Sequence, residues 1–420
     1  MTRPFVLSLI LATAIAPAVT AENWPQWRGP ERTGVSTESA LPLAWGADKN
    51  VAWKLPLPGV SGATPIIWED RVFLNVAEAG SLYLWSVGRD DGAVLWKRRL
   101  DNRDETKRKG NMSSPSPVTD GTTVWVMTGT GVLRAFDFSG RELWSRDLQS
   151  DFGAFGILHG YSSSPLLHDS SLYVQVLHGF HTDDPSYVLA IEGASGQTRW
   201  RVERPTDAPR EAPDAYTTPA LLARGERTEL VVSGADYVTG HDLETGAELW
   251  RVGGLNPTAN PSQRIVASPV VVDDMIYVPS RVKPMLALAA GPDGAPQVRW
   301  SHDEGPDVPT PAITAEHIFV LRDRGTMFCL DRTTGEVLWG PERVAGGTYS
   351  ASPLVADGRV YVTNEAGTTT VVAAAPEFEL LAENALGENT LASLAAAGGR
   401  LYLRTAEHLY ALEQGPEHAD

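Results

Sequence analysis

Cysteine is almost missing from this chain of 420 residues, which contains a single one, Cys329. One thiol cannot form an internal disulfide, so packing and hydrogen bonds have to hold the fold. Cys329 lies in an apolar run, Met327 to Leu330, where we expect a small buried side chain rather than a reactive thiol.

Basic side chains are also few, since 35 lysines and arginines stand against 52 aspartates and glutamates and leave a net charge of −17. Such an acidic surface disfavours nucleic acids and anionic membranes as general partners. One basic stretch, from Lys97 to Lys109, departs from this balance. It either contacts an anionic wall polymer or forms a solvated loop.

Motifs of common enzymes are absent, because G-x-S-x-G, H-E-x-x-H, a P-loop and a dinucleotide fingerprint do not occur. Hydrolase, zinc-protease and nucleotide chemistry therefore have no support from motifs. The chain also has no long apolar stripe of helical period.

The N-terminus has the parts of a signal peptide. Arg3 supplies the positive charge, residues 5–16 the apolar core, and Val19-Thr20-Ala21 a small-residue cleavage site. The core is too short to span a bilayer. We expect cleavage after Ala21 and export to the periplasm or medium of a monomer without an integral membrane segment.

The sequence is rich in a repeat that ends in G-x-x-x-W. Its copies are Gly92–Trp96, Gly140–Trp144, Gly196–Trp200, Gly246–Trp250 and Gly335–Trp339. Upstream, a Ser/Thr-Pro step recurs, with proline at 65, 117, 165, 219, 269, 311 and 353 and leucine in its place at 394. Intervals of 41–54 residues between these positions are typical of propeller blades.

Each unit reads as four short strands, A to D, separated by Gly/Asp/Asn turns. The eighth unit lacks its tryptophan strand, and Val51 to Leu55 can supply that strand from the N-terminus. The pattern predicts an all-β, eight-bladed propeller whose last blade is closed by an N-terminal strand. The predicted division is a signal peptide over 1–21, an extension over 22–50, which either plugs the channel or does not, and a propeller over 51–415.

The repeat resembles the quinone (PQQ)-binding-like β-propeller family, with its A-x-D-x-x-T-G-x-x-x-W signature. That signature appears here as Ala190 to Trp200 and as Cys329 to Trp339, and the resemblance covers essentially the whole mature chain. One branch contains quinoprotein dehydrogenases, for which PQQ and calcium are the implied cofactors. Another is the periplasmic, non-catalytic propeller of the outer-membrane protein assembly machine.

The chain departs from both branches. The large dehydrogenases place a vicinal disulfide against the cofactor, which one cysteine cannot form. The nearest calcium candidate, Asn364-Glu365, falls where a B–C turn is predicted. The assembly propeller is usually anchored by a lipid on a cysteine, but the residue directly after the predicted cleavage site is Glu22.

Loop lengths distinguish the two faces of the predicted disc. The A–B and C–D turns are tight, whereas the D–A and B–C connections are long in blades one to five: 98–113, 145–162, 201–217, 252–267 and 177–185. Binding residues concentrate in long loops on rigid scaffolds, so we expect the site on the long-loop face, around the mouth of the central channel.

Candidate ligand-binding residues on that face have competing structural interpretations. The three tyrosines that precede A strands either form a collar around the channel or pack between blades. Asp236, with Tyr237 after it, either faces a ligand or occupies a left-handed turn. The two basic residues either bind an anion or are solvated. The candidates are Tyr161, Tyr216, Asp236, Tyr237, Arg281, Lys283 and Tyr349. The loop motif of His178, His181, Asp183 and Asp184 lacks helical geometry, and we predict no metal there.

These features favour an exported, non-catalytic propeller that binds a protein or an envelope ligand on the long-loop face, with a role in outer-membrane biogenesis. The alternative is a PQQ-dependent oxidoreductase with its cofactor at the channel mouth. The absence of paired cysteines and of a C-x-x-C-H haem motif favours the first function.

Overall fold

The computed structural model describes residues 22–281, 284–291 and 294–415. The predicted signal peptide and Lys283 lie outside these ranges. The described residues form eight antiparallel sheets of four strands each. One short α-helix, α1 (Leu148–Phe152), interrupts the connection between the second and third blades.

The sheets follow one another along the chain as blades of a ring. Blades one to four are β2 (Ile66–Trp68), β3 (Arg71–Glu78), β4 (Ser81–Gly88), β5 (Val94–Asp101); β6 (Val118–Thr119), β7 (Thr123–Met127), β8 (Val132–Asp137), β9 (Glu142–Asp147); β10 (Leu166–His168), β11 (Ser171–Val176), β12 (Tyr187–Glu192), β13 (Thr198–Glu203); and β14 (Ala220–Arg224), β15 (Arg227–Gly234), β16 (Tyr237–Asp242), β17 (Glu248–Val252).

Blades five to eight are β18 (Val270–Val272), β19 (Met275–Val278), β20 (Met285–Ala290), β21 (Pro296–His302); β22 (Ala312–Ile313), β23 (His317–Arg322), β24 (Thr326–Asp331), β25 (Val337–Arg343); β26 (Leu354–Ala356), β27 (Arg359–Thr363), β28 (Thr368–Ala373), β29 (Leu380–Ala385); and β30 (Ala395–Ala397), β31 (Arg400–Arg404), β32 (His408–Glu413) with β1 (Val51–Pro56). The first strands of neighbouring blades contact one another and surround the axis.

The last blade is closed by the N-terminal strand, as predicted. β1 pairs antiparallel with β32, with Trp53 opposite Ala411 and Leu55 opposite Leu409. This pairing joins the two ends of the chain in one sheet. It covers the edge of β32, which would otherwise have unpaired backbone groups. The eight-bladed propeller is thereby confirmed.

The repeat tryptophans join each blade to the next. Within its own blade, Trp200 lies opposite Ala190 and Trp339 lies opposite Cys329, so the facing position has to be small. Cys329 is fully buried there, which raises the pKa of its thiol to about 12. Toward the next blade, the Trp144 indole N–H donates to Gly193 O at 2.7 Å, and a Cβ on Gly196 would lie 2.6 Å from the Trp144 ring.

A second repeated contact surrounds the axis. In each Ser/Thr-Pro step, the backbone N–H of the Ser or Thr donates to the hydroxyl of the equivalent residue in the next blade, over 2.9–3.0 Å. The accepting residues, which we call the hydroxyl ring, are Ser116, Ser164, Thr218, Ser268, Thr310, Ser352 and Ser393. The ring stabilises the order of the blades, since each bond joins two of them.

The seam between blades eight and one is built differently. The Thr64 hydroxyl, which would accept the eighth bond, is buried without a partner in the described residues. At the same seam, the guanidinium of Arg404 in blade eight donates to the backbone carbonyls of Asn75 and Gly59. Arg404 is fully buried, and desolvation lowers its pKa to about 9.

The segment before β1 crosses the short-turn end of the channel. We call residues 22–46 the N-terminal strap. Its Trp24 N–H donates to Ile67 O in blade one at 2.8 Å, and its Pro25 O accepts from Thr119 N in blade two at 2.9 Å. Farther along, Ser36 N–H donates to Val355 O in blade seven at 2.9 Å.

One arginine holds the middle of the strap. The buried Arg28 guanidinium donates to Pro353 O and Pro311 O, both at 2.6 Å, and to Thr33 O at 3.0 Å. With only neutral carbonyls around it, desolvation lowers the pKa of Arg28 to about 9. The sequence left open whether residues 22–50 plug the channel. These contacts show that the strap, residues 22–46, covers the short-turn end of the channel.

Candidate functional site

The opposite end of the channel is an open cavity of about 560 Å³. Its wall includes residues that precede the first strand of every blade, such as Gly62, Ser114 and Ser162 in the first three and Leu391 in the last. The volume is within the range of pockets that bind small molecules. We call it the channel-mouth cavity.

Hydroxyl groups form the inner wall of this cavity. Six members of the hydroxyl ring line it: Ser116, Ser164, Thr218, Thr310, Ser352 and Ser393. Each of these hydroxyls already accepts a backbone N–H, and none donates to an acceptor among the described residues. A hydroxyl has one proton to donate, so the wall offers hydrogen-bond donors to whatever enters the cavity.

The rim of the cavity is basic although the chain is acidic. Among the described residues, five cationic side chains border it: Arg108, Lys109, Arg264, Arg281 and Arg324. Three carboxylates oppose them: Asp307, Asp323 and Glu365. Positive charge therefore exceeds negative charge in the place where a ligand would enter.

Not every basic group on the rim is neutralised. Lys109 Nζ lies 2.7 Å from Glu365, Arg281 Nε lies 3.1 Å from Asp307, and Arg264 binds a carboxylate outside the cavity. Arg108 and Arg324 are exposed, and their guanidiniums have no hydrogen-bond or ion-pair partner in the part of the chain that the structure describes. These two cations are available to an anion.

One carboxylate of the rim, Asp307, is held in an unfavourable environment. Burial, followed by the nearby Asp323 carboxylate, raises the pKa of Asp307 to about 6. The Oδ1 atom of Asp307 is buried and has no partner among the described residues. At neutral pH the ionised form of Asp307 is therefore disfavoured. Strongly perturbed carboxylates of this kind are frequent in binding sites.

Trp27 of the N-terminal strap forms the floor. Its half-buried side chain lines both the channel-mouth cavity and a second cavity of about 320 Å³ on the short-turn side. Trp27 therefore lies between the two cavities. The sequence suggested only tight turns at the short-turn end. The structure shows a cavity there as well, and residues of the strap border it.

The predicted site residues divide into two groups. Tyr216 and Arg281 line the channel-mouth cavity. Tyr161 and Tyr349 lie in the core instead, where their hydroxyls donate to Gln175 O and Ala345 O at 3.0 and 2.7 Å. The three tyrosines thus do not form a collar, because blade packing accounts for two of them.

Asp236 and Tyr237 do not line the cavity. Asp236 adopts φ +69°, and its Oδ2 accepts from Asn256 at 3.2 Å, as the turn interpretation required. Tyr237 donates to Asp207 at 2.9 Å, and Arg251 lies over its ring. Lys283 lies outside the described residues.

The side chains of the His178–Asp184 loop motif are held apart by their own hydrogen bonds. His178 is buried, and its Nδ1 accepts the Gly156 N–H at 2.9 Å. Asp184 accepts the Ala154 N–H at 2.7 Å, while His181 packs against Phe180. These residues connect two loops rather than converge on one point.

Those two loops expose apolar side chains on the long-loop face. Leu158, in the connection from blade two to blade three, and Phe180, in the B–C loop of blade three, are 37% and 53% exposed. The buried Asp214 joins the loops, accepting Leu158 N–H at 2.9 Å and Gly179 N–H at 2.7 Å. Desolvation raises the pKa of Asp214 to about 6. Arg210 lies 5.7 Å above the Phe180 ring.

Sequence reasoning missed most of the cavity. Arg108 and Lys109 belong to the basic stretch noted in the sequence, but the sequence did not show that this stretch lies at the channel mouth. The Ser/Thr-Pro step marked the hydroxyl ring, which was interpreted as a strand start alone. Arg264, Arg324 and Trp27 gave no local signal, because only closure of the ring brings them to one axis.

Comparison with known proteins agrees with this architecture. The family described as "Outer membrane protein assembly factor BamB" matches residues 31–154 and 83–341. A protein of that name from Xanthomonas campestris pv. campestris is 25% identical over 230 residues, which cover 53% of this chain and 47% of that protein. The chain thus spans about half the length of this relative.

Two solved structures share the fold. BamB from Moraxella catarrhalis superimposes with a TM-score of 0.64 and 16% identity, covering 86% of this chain and 99% of that one. Quinohemoprotein alcohol dehydrogenase from Comamonas testosteroni gives a TM-score of 0.70 and 12% identity, covering 95% and 82%. At these identities the likeness concerns the fold alone. No helix among the described residues is both long and apolar enough to cross a bilayer.

Proposed function

This chain belongs to the family described as outer membrane protein assembly factor BamB, and on that basis we propose that it is an exported, non-catalytic propeller that docks another envelope protein during outer-membrane protein assembly. The predicted signal peptide supports export, and the family supports the process. The proposal names the long-loop face as the docking surface.

The observation that carries this assignment is the difference between the two ends of the propeller. The N-terminal strap covers the short-turn end and satisfies backbone groups of blades one, two, six and seven. The long-loop face remains open and presents Leu158, Phe180 and Arg210. Exposed aromatic and arginine side chains are the residue types that dominate protein interfaces.

Rigid support makes these side chains suitable for docking. Asp214 holds both loops through backbone N–H groups, and Asp184 holds the start of the 153–160 segment in the same way. A docking surface that is ordered before binding loses less conformational entropy when the partner arrives. The proposed docking patch consists of Leu158, Phe180 and Arg210.

Photo-crosslinking in cells tests the location. A photoreactive residue at Phe180 is expected to capture a protein of the outer-membrane assembly machinery, identified by mass spectrometry. Leu143 is the matched control, because it is 40% exposed but lies on the outer strand of blade two. Capture of that machinery from Leu143 and not from Phe180 would contradict the proposed face.

Complementation tests the process. Deletion of the gene is expected to lower the amount of outer-membrane β-barrel proteins, and the wild-type gene to restore it. Phe180→Glu should fail to restore it while keeping the wild-type melting temperature, because the side chain is exposed. Full restoration by Phe180→Glu, Leu158→Glu and Arg210→Glu combined would exclude this patch.

A second candidate, a PQQ-dependent oxidoreductase, is favoured by the basic rim of the channel-mouth cavity. The calcium part of that site does not fit. Glu365 is engaged by Lys109 and Ser350, and Asn364 donates to Gly346 O at 2.9 Å. Cys329, the single cysteine of the chain, is buried in blade six, so no pair of cysteines can lie against the cofactor. The residues present therefore do not fit PQQ held with calcium.

Titration of the purified protein with PQQ and Ca²⁺ separates the two functions. An oxidoreductase of this class should bind PQQ with a change in its absorbance and gain thermal stability that depends on Ca²⁺. The docking function predicts no calcium-dependent gain. Loss of PQQ binding in Arg281→Gln would assign the cofactor to the channel mouth.

A further inference from the structure

The channel-mouth cavity combines three features that no docking function requires. Hydroxyl donors line its wall, unpartnered guanidiniums lie on its rim, and one indole forms its floor. From this combination we propose that the cavity binds a small hydroxylated organic anion, a sugar acid or a sugar phosphate. The site differs from the docking patch and does not depend on it.

The hydroxyl ring determines the polarity of the ligand. Its oxygens accept backbone N–H groups, so the protons of Ser116, Ser164, Thr310, Ser352 and Ser393 are the groups left to hydrogen-bond with a guest. A ligand rich in acceptor oxygens matches such a wall. The ring is fixed by bonds between blades, so these donors are already in position before binding.

The rim determines the charge. Arg108 and Arg324 lack partners among the described residues, and Arg264, which is paired with Glu211 outside the cavity, lines the same rim. Burial and the positive charge of Arg264 lower the pKa of the neighbouring His159, so this side chain is neutral at pH 7 and does not disturb the balance. Guanidinium groups bind carboxylate and phosphate oxygens in bidentate geometry.

The carboxylates of the rim do not cancel this attraction. Glu365 is neutralised by Lys109 at 2.7 Å, and Asp307 by Arg281 at 3.1 Å. Asp323 accepts the backbone N–H groups of Asp307 and Val308, both at 3.1 Å. Once these pairs are formed, the charged side chains of the rim that lack any partner among the described residues are the cations Arg108 and Arg324.

The floor of the cavity determines the shape of the ligand. Trp27 presents a half-buried indole to the cavity, and such a surface is suited to the apolar face of a sugar ring. The cavity of about 560 Å³ admits a small ligand but not a folded domain. An acidic sugar is therefore complementary to the floor, the wall and the rim together.

Calorimetry and thermal melting with defined probes test the proposal. Glucuronate and glucose 6-phosphate are expected to bind the full mature chain at one site and raise its melting temperature. Glucose, which has the same ring without the charge, should bind at least about tenfold more weakly, the loss expected for one charge-assisted pair. The two anions distinguish a carboxylate ligand from a phosphate ligand.

Substitutions place the site. Arg108→Gln with Arg324→Gln should weaken binding of the acidic sugars about tenfold or more. Arg141→Gln is the matched control, because this arginine is 75% exposed on a C–D turn of the other face and should bind like wild type. Trp27→Leu should weaken binding of the sugars and leave binding of inorganic phosphate unchanged.

Three results would overturn the proposal. They are no binding of the acidic sugars, wild-type binding by the double arginine variant, and binding of inorganic phosphate alone as tight as that of glucose 6-phosphate. The last result would indicate a simple anion site without sugar recognition. Since crosslinking from Phe180 does not involve this cavity, failure here and failure of the docking function are observed separately.

Discussion

The two ends of the channel are built from the same repeat and differ in how their polar groups are satisfied. At the short-turn end, the N-terminal strap supplies partners to the blades, including the Arg28 guanidinium, which donates to the two blade carbonyls Pro311 O and Pro353 O. At the long-loop end, Arg108 and Arg324 have no partner among the described residues. Six hydroxyls of the ring there do not donate a hydrogen bond to any described residue. One end thus stabilises the ring, and the other is available for binding.

Carboxylates show the same contrast. On the short-turn face, hydrogen bonds from Ser139 and Arg141 lower the pKa of Asp137, and the Thr245 hydroxyl lowers that of Asp242. On the long-loop face, burial raises the pKa of Asp214 and of Asp307 to about 6. The first pair stabilises turns when ionised, whereas ionisation of the second pair costs stability.

Removing the closing strand should produce the largest effect. Deletion of residues 22–56 removes the strap and β1 together, which exposes the edge of β32 and opens the short-turn end. We expect the protein to lose its cooperative thermal transition or to melt far below wild type. Wild-type melting of the truncated chain would show that closure contributes nothing.

A substitution between blades should cost less than loss of the strand. Trp144→Ala removes a ring that packs on Gly196 and donates to Gly193 O, and should lower the free energy of unfolding by about 3–5 kcal/mol. Its neighbour Leu143, 40% exposed on the same strand, is the control, and Leu143→Ala should change it by about 0.5 kcal/mol or less. Urea denaturation measures both, and equal losses would refute the inter-blade role.

The strap itself can be loosened at one residue. Arg28→Met leaves Pro311 O and Pro353 O without their donor, and should lower the free energy of unfolding by about 2–3 kcal/mol. Hydrogen exchange should accelerate at the Ser36 and Val355 amides, which pair the strap to blade seven. Protection of these amides as in wild type would mean that Arg28 does not hold the plug.

The smallest expected effect concerns pH. The pKa of Asp307 is raised from 3.8 to about 6 in the folded protein, so its contribution to stability is complete below about 3.8 and is lost as the pH rises through about 6. Asp307→Asn removes this dependence. Between about pH 4 and pH 7, the free energy of unfolding of wild type should fall relative to the variant by about 2 kcal/mol.

Asp137→Asn provides the opposite control for that experiment. Since hydrogen bonds lower the pKa of Asp137, its contribution is present above the unfolded value and is lost as the pH falls. Denaturation curves over a pH series should therefore deviate from wild type in opposite directions for the two variants. Parallel pH profiles for both would remove the contrast between the faces.

The sequence determined the blades because every signal for them is local or periodic. Turn glycines, β-branched runs and the small residue opposite each tryptophan lie within one unit, so Ala190 and Trp200 could be paired by spacing alone. The incomplete eighth unit, with Val51 to Leu55 at the other end of the chain, was enough to predict closure.

Only the tertiary structure decided which residues meet on the axis. Arg108, Arg264 and Arg324 come from three different blades, and Trp27 comes from a strap whose path depends on buried carbonyls far away in sequence. It also decided that Tyr161 and Tyr349 point into the core while Tyr216 faces the cavity. A repeat fixes the period of the chain, but the direction of a side chain at the axis depends on the neighbouring blades that pack against it.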